Sequence, residues 1–277
     1  MKTRKEIRAL ADAALKGQRL QQTLLLFLLI IIICVPIVAL QFIFGMQPQG
    51  MMMVGYYGCV LVYSLFVAPL TMAYASAYLP LVRGEKNDIL STTLQSIKTR
   101  YTDFFKGALR YYARILAIFA VIGIITAGVV SAAPTVATSP ALIVPAYLVL
   151  LAVLIWLSLR WGLYTFSCYE QPETDCCHRS WKLMDGYCWQ LFVQGVIIFL
   201  PVFIAYFITV LCGAGAAAVY QTHPSTMALV CAITGALAVF ASIIGLLYGC
   251  VRYYAVQAIT YDERVAEVED TPEPAAE

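Results

Sequence analysis

The chain has 277 residues, of which 61% are hydrophobic and 12% are charged, and its mean hydropathy is +0.79. This composition is too apolar for a soluble domain, and the length leaves no room for a second folded unit beside a bundle of membrane helices. The net charge of +2 hides an asymmetry, because residues 262–277 hold seven acids and one arginine, which leaves 17 basic and 9 acidic residues elsewhere. We therefore expect anionic membrane lipids as partners, and no nucleic acid.

Three stretches free of Lys, Arg, Asp and Glu carry the hydrophobic mass, and each is long enough for two spans at ~20 residues per span. These stretches are residues 20–82, 115–159 and 186–251. The turns that would join the two spans of each stretch also lack formal charge; they are residues 45–50, 131–140 and 220–225. All formal charges can therefore lie on one side of a membrane. The positive-inside rule makes that side, with both termini, the cytoplasm.

The resulting fold prediction is all-α: a polytopic membrane protein with six transmembrane helices arranged as three hairpins, each preceded by a cytoplasmic amphipathic helix. Residues 3–22, 89–106 and 177–190 supply these surface helices, and the first of them is expected to lie on the inner leaflet.

The predicted membrane domain covers residues 1–261, followed by a disordered acidic tail over 262–277. Its three hairpin units are residues 3–82, 89–166 and 177–258.

A short pattern recurs just before the first, third and fifth spans, where a glycine follows Leu15-Lys16, Phe105-Lys106 and Met184-Asp185. The chain therefore resembles three copies of one unit. Gly17, Gly107 and Gly186 are the predicted bends, since a chain that turns from the membrane plane into a span needs a backbone position without a Cβ penalty.

Arg114, Arg160 and Arg252 are the basic residues nearest the spans, and each lies close to aromatic residues. One interpretation is a ring that grips lipid phosphate, because the guanidinium fork suits phosphate oxygens. The other is that the three side chains extend to the head groups and anchor helix ends within an aromatic belt. The two interpretations can hold together.

The cysteines give no clear site. Cys168, Cys176, Cys177, His178 and Cys188 offer soft ligands, but their spacing lacks the paired CxxC units of structural zinc sites. Because these thiols fall on the predicted cytoplasmic side, we expect neither a disulfide nor a metal, and no cofactor.

The predicted spans contain no Asp, Glu, His or Lys, although ion-coupled transporters and intramembrane proteases place such residues within the bilayer. Motifs for phosphoryl, zinc or serine chemistry are absent as well. The leading hypothesis is a non-enzymatic protein acting through its basic face on anionic lipids or a membrane-protein partner. A small permease or exporter accessory component is the alternative, and an intramembrane enzyme comes third.

Two short motifs stand out, one directly after the second predicted span and one just before the fifth, and their residues are Arg83, Gly84, Glu85, Ser180, Met184 and Gly186. In these motifs the chain resembles the bacterial integral membrane proteins classified as domain of unknown function 975. The chain departs from the family pattern at Glu170-Gln171-Pro172 and at Val193-Gln194-Gly195. The resemblance implies a six-helix protein of the bacterial inner membrane, with looser similarity to the membrane domain of some glycerophosphodiesterases, and it implies no established activity.

Overall fold

The regular structure is helical throughout the part of the chain that the computed structural model describes, which is residues 2–45, 50–85, 88–132, 140–220 and 224–269. The helices, in chain order, are α1 (Arg4–Ala14), α2 (Arg19–Phe44), α3 (Met51–Ser76), α4 (Tyr78–Val82), α5 (Ile89–Ala132), α6 (Pro140–Arg160), α7 (Tyr164–Glu170), α8 (Cys176–Leu183), α9 (Cys188–Tyr220) and α10 (Pro224–Glu269). Most of the three predicted uncharged turns lies outside the described residues.

Six helical segments are long and apolar enough to cross a membrane, which confirms the six-helix prediction. They are Arg19–Phe44, Met51–Val82, Ile89–Ile124, Leu148–Glu170, Cys188–Phe207 and Val239–Val268. Between 6% and 28% of the most apolar window of each segment is buried by protein. Surfaces this apolar would associate in water but match the hydrocarbon of a bilayer.

Gly107 lies inside α5, so the predicted separate surface helix over 89–106 is instead the first part of one continuous helix. At 1.5 Å per residue, the 44 residues of α5 extend ~66 Å, about twice the thickness of the hydrocarbon core. A Cβ added at Gly107 would lie 2.7 Å from Cys168 Sγ. This glycine therefore permits close packing of α5 against α7 and makes no bend.

The predicted acidic tail does not begin at residue 262, because α10 continues to Glu269. Asp262 pairs with Arg83 at 2.6 Å, and Glu263 pairs with Lys2 at 3.3 Å. These contacts with distant segments stabilise the helical extension. The rest of the predicted tail, residues 270–277, lies outside the described residues.

Helix α1 packs on protein and does not present its apolar side to lipid. A capping box starts it: the Thr3 hydroxyl accepts from the Glu6 N–H, and the Glu6 carboxylate accepts from the Thr3 N–H at 2.6 Å. The bond to the Thr3 backbone holds the pKa of Glu6 below its ordinary value. Ile7, Ala11 and Leu15 are at most 1% exposed and belong to the core built around the end of α10. The predicted helix on the leaflet is therefore covered by α10.

The best-packed part of the molecule lies at the end of the helices that carries the charged residues, hereafter the charged end. We call the cluster formed there by α1, α4, α7, α8 and the last part of α10 the charged-end core. Its fully buried large side chains include Ile7, Tyr78, Phe166, Leu183 and Tyr261. The spans leave this core as individual helices that face lipid over most of their surface.

Pro36 interrupts the hydrogen bonding of α2, because proline has no N–H to donate to the carbonyl four residues earlier. That carbonyl belongs to Ile32, and the Tyr63 hydroxyl of α3 donates to it. Within a bilayer, a carbonyl without a donor costs several kcal/mol. The tyrosine therefore compensates for the proline and joins α2 to α3.

Pro69 in α3 has a similar arrangement. The Tyr101 hydroxyl of α5 donates to the Phe66 carbonyl, in the turn that precedes the proline, at 2.9 Å. Each of these two prolines thus marks a place where a neighbouring helix supplies a side-chain donor.

We predict that Tyr63→Phe lowers the free energy of unfolding by about 1 kcal/mol, because the substitution keeps the ring but leaves the Ile32 carbonyl without its donor. Thermal melting of the full chain in detergent measures the effect. Tyr57→Phe is the matched control, since this tyrosine lies on the same helix with 58% of its surface exposed. Equal melting temperatures for the two variants would contradict the prediction.

Candidate functional site at the charged end

A network of ion pairs and hydrogen bonds joins four segments at the charged end. The Glu170 carboxylate, at the end of α7, accepts from Arg83 at 2.5 Å and from the Tyr261 hydroxyl at 2.7 Å. Arg179 of α8 lies 3.6 Å from the same carboxylate and donates to the Tyr261 hydroxyl at 2.6 Å. Arg83 also pairs with Asp262 at 2.6 Å. We call these five residues the Glu170 network.

Local backbone structure positions Arg83. Gly84 follows it with φ of +81°, a conformation that L side chains rarely adopt, and the Glu85 N–H donates to the Pro80 carbonyl. The chain thereby reverses just after α4. Burial alone would lower the pKa of Arg83, but the carboxylates of Asp262 and Glu170 outweigh burial. The pKa therefore lies above its ordinary value, and the guanidinium stays charged.

Ser180 and Met184, two other residues that match the family's motifs, are buried inside the protein. Ser180 is fully buried; its hydroxyl donates to the Arg160 carbonyl at 3.0 Å and accepts from the Leu163 N–H at 3.2 Å. It therefore holds the corner between α6 and α7. Met184 is fully buried in the charged-end core. Gly17 and Gly186 adopt φ of +86° and +71°, and both lie at turns between helices.

Arg114 pairs with a carboxylate at the start of a short helix, and Arg252 pairs with one near the start of the chain. Arg114 pairs with Asp175, which also caps α8 by accepting from the His178 N–H. Burial would raise the pKa of Asp175, but the hydrogen bond and the charge of Arg114 outweigh it, so the pKa lies below its ordinary value. Arg252 pairs with Asp12 of α1 at 2.6 Å.

Arg160 has both an acidic and an aromatic environment. It pairs with Asp185 at 3.0 Å, and its guanidinium carbon lies 5.5 Å and 5.0 Å from the ring centres of Trp156 and Trp181. Such contacts combine charge pairing with cation–π attraction. Arg114, Arg160 and Arg252 pair with three different carboxylates, which are Asp175, Asp185 and Asp12. Each of the three therefore fastens a different element to the spans.

The cysteine prediction requires a correction, because Cys168 and Cys176 form a disulfide. Their Cα atoms are 5.2 Å apart, within the range that a disulfide spans, and both residues are buried between α3, α5 and α7. Spacing alone gave no sign of this pairing, since the chain reverses between α7 and α8. Cys177 remains a thiol, and burial raises its pKa.

Sequence reasoning missed the Glu170 network as a unit. In the sequence Glu170 stands out only for its place before Pro172, and nothing in the linear pattern connects it to Tyr261. Arg179 was not distinguished from the surrounding surface residues. It is 8% exposed, and a buried arginine that must be paired is visible only in the folded chain.

Several exposed basic side chains at the charged end form no ion pair with a described carboxylate. The lysines among them are Lys5, Lys16, Lys98, Lys106 and Lys182. The charged end therefore presents surplus positive charge to its surroundings.

Comparison of the chain with protein-family models, curated proteins and solved structures finds no match. The resemblance drawn from the motifs around Arg83 and Ser180 stays a prediction. The class is defined by the six apolar helices: this is a polytopic membrane protein. Within that class, the chain is distinguished by its charged-end core and by the Glu170 network.

We predict that Glu170→Gln destabilises the protein by about 2 kcal/mol, because the buried Arg179 loses its carboxylate partner, while the more exposed Arg83 keeps Asp262. The partial exposure of Glu170 places the effect below the ~3–5 kcal/mol of a fully buried pair. Melting of the full chain in detergent measures it. Glu173→Gln, at an exposed acid three residues away, should leave the melting temperature unchanged.

Proposed function

We propose that the protein is a non-enzymatic binder of anionic lipids that acts from its charged end, on the cytoplasmic side of a bacterial inner membrane. The distribution of charge supports this proposal. Carboxylates such as Asp12, Glu170, Asp175 and Asp185 are engaged in internal ion pairs, so they do not neutralise the exposed lysines. Lipid phosphates are the abundant anions at this depth.

Residues 89–106, the part of α5 before Gly107 and hereafter the α5 extension, combine charge with apolar surface. Leu90, Leu94 and Lys98 follow one another at intervals of four residues, so they lie within about 80° of one another around the helix, and Lys106 lies about 80° further round. All four are exposed. Leucines that insert among acyl chains beside lysines that reach phosphates are typical of an interfacial helix. The α5 extension is therefore the proposed contact with the leaflet.

Transport of a polar solute, the alternative from the sequence, needs hydrogen-bonding groups along a path through the spans. Among the described side chains, the grooves between spans are mainly apolar. The groove between α2 and α3, of about 710 Å³, is lined by residues such as Leu40, Val62 and Phe66. A narrower cleft between α5 and α6 is lined by Ile115 and Phe119. These surfaces favour lipid over a polar solute.

We predict that Lys98→Gln with Lys106→Gln weakens binding of phosphatidylglycerol, at ~1 kcal/mol per lysine at low salt. Native mass spectrometry of the full chain, with dioleoyl phosphatidylglycerol and dioleoyl phosphatidylcholine as probes, measures the loss. The effect should shrink at physiological salt, where exposed charges are screened over ~8 Å. Lys2→Gln is the control, because Lys2 already pairs with Glu263.

Three results would overturn this assignment. If the double variant retains its preference for phosphatidylglycerol, the α5 extension is not the contact. If Arg114→Gln abolishes that preference without changing the melting temperature, the arginine ring of the sequence hypothesis is favoured instead. Subunits of another protein retained in the spectra, together with unselective lipid binding, would favour a membrane-protein partner.

The proposed orientation has its own test. We predict that reporter fusions after Gln49, Thr138 and Thr222 lie outside the cytoplasm, because the charged end carries the basic residues. A fusion after Asn87, in the charged segment between the first two hairpins, is the cytoplasmic control. An inverted pattern would place the charged end, with its Cys168–Cys176 disulfide, on the oxidising side of the membrane, where disulfides persist.

A further inference from the structure

A cavity of about 220 Å³ lies where the charged ends of α3, α5, α6, α7 and α10 meet. Trp161 directly follows Arg160, and Tyr254 lies two residues after Arg252, so the cavity is at the depth of these arginines. Arginines at helix ends lie at the level of lipid head groups. The cavity thus opens at the membrane interface rather than in the middle of the bilayer. Its polar lining residues include Thr71, Tyr111, Ser158, Thr165, Tyr254 and Gln257.

The lining is polar without formal charge and rich in aromatic rings. Tyr111 and Tyr164 are stacked with ring centres 4.6 Å apart, and Trp161 meets the Tyr111 ring edge-on at 5.5 Å. The hydroxyls of Tyr111 and Tyr254 have no hydrogen-bond partner among the described residues, which leaves both available to a ligand. An ionised ligand group would find no opposite charge in this lining, whereas an uncharged hydroxyl would find partners.

A second observation shows the direction in which such a ligand would extend. Tyr111, Ser158 and Trp161 also line a narrow cleft of about 60 Å³ between α5 and α6. Residue numbers along this cleft rise in α5 and fall in α6, so the cleft runs from the cavity into the spans. Its remaining walls are apolar: Ile115, Ile118, Phe119, Leu154 and Leu157. A polar chamber joined to an apolar cleft matches a molecule with a polar head and an apolar chain.

We propose that this cavity binds the uncharged, hydroxyl-bearing head group of a lipid, of which a diacylglycerol is the simplest example. At ~30 Å³ per water molecule, the chamber holds the volume of about seven waters, enough for a head group of a few heavy atoms. The cleft accepts the first methylene groups, and the rest of the chains stay in the bilayer. This site is separate from the exposed lysines, which contact charged phosphates.

The test uses the full chain in phosphatidylcholine nanodiscs and, as probe, a dioctanoylglycerol with a photoreactive diazirine in one chain. Labelled peptides should come from α5 and α6 around residues 111–119 and 154–161. Tyr111→Phe with Tyr254→Phe removes two hydroxyls while keeping both rings, and it should weaken the probe about fivefold per hydroxyl. Tyr206→Phe, on the exposed surface of α9, should bind the probe as the unaltered chain does.

The melting temperature of each variant distinguishes loss of the binding site from loss of folding. If the double variant melts normally and binds the probe unchanged, or if labels spread over the lipid-facing helices, the proposal is overturned. Free glycerol in large excess should not displace the probe; efficient displacement would mean that the site takes a soluble polyol and no lipid. The Lys98→Gln, Lys106→Gln variant should label normally, so failure at this cavity is distinguishable from failure of the anionic-lipid proposal.

Discussion

The structure depends on one constraint, which is that hydrocarbon does not distinguish a leucine packed on protein from a leucine facing lipid. The six spans therefore gain little from burying their apolar sides, and most of their surface stays uncovered. What fixes the arrangement lies where the helices leave the hydrocarbon. There, Glu170 sits between Arg83 and Arg179, and the charged-end core excludes water around Tyr261. Four segments distant in sequence meet at one carboxylate.

The spans were predictable because their signal is local: some twenty apolar residues without charge specify a helix in lipid whatever the rest of the chain does. The ends of the helices were not. Gly107 follows an apolar residue and a lysine, as Gly17 does, yet its helix continues, and Cys168 of another segment packs against it. Asp262 begins a polar, acidic stretch that reads as disordered, yet Arg83, 179 residues earlier, keeps it helical. The amphipathic pattern of α1 predicted that its apolar side is buried, but it could not specify that α10 packs against that side.

The candidate site shows the same division between local and distant information. Sequence identified Arg114, Arg160 and Arg252 by their depth, and depth alone made them candidates for lipid phosphate. Their partners, Asp175, Asp185 and Asp12, come from the short elements outside the spans, and this engages the arginines internally. The exposed lysines and the Tyr111 and Tyr254 hydroxyls have no such partners among the described residues, and they carry the two lipid proposals.

Helix α10 runs unbroken for 46 residues, with a proline only at its first position, whereas α2, α3, α6 and α9 each contain an internal proline. A helix without an internal proline lacks the commonest site for a sharp kink, so a change in tilt is carried along its length. Tilt of a membrane helix responds to the thickness of the surrounding bilayer. In this protein, α10 also carries Tyr261 and Asp262 into the Glu170 network. A change in bilayer thickness that alters the tilt of α10 would therefore displace these two residues relative to Glu170 and Arg83.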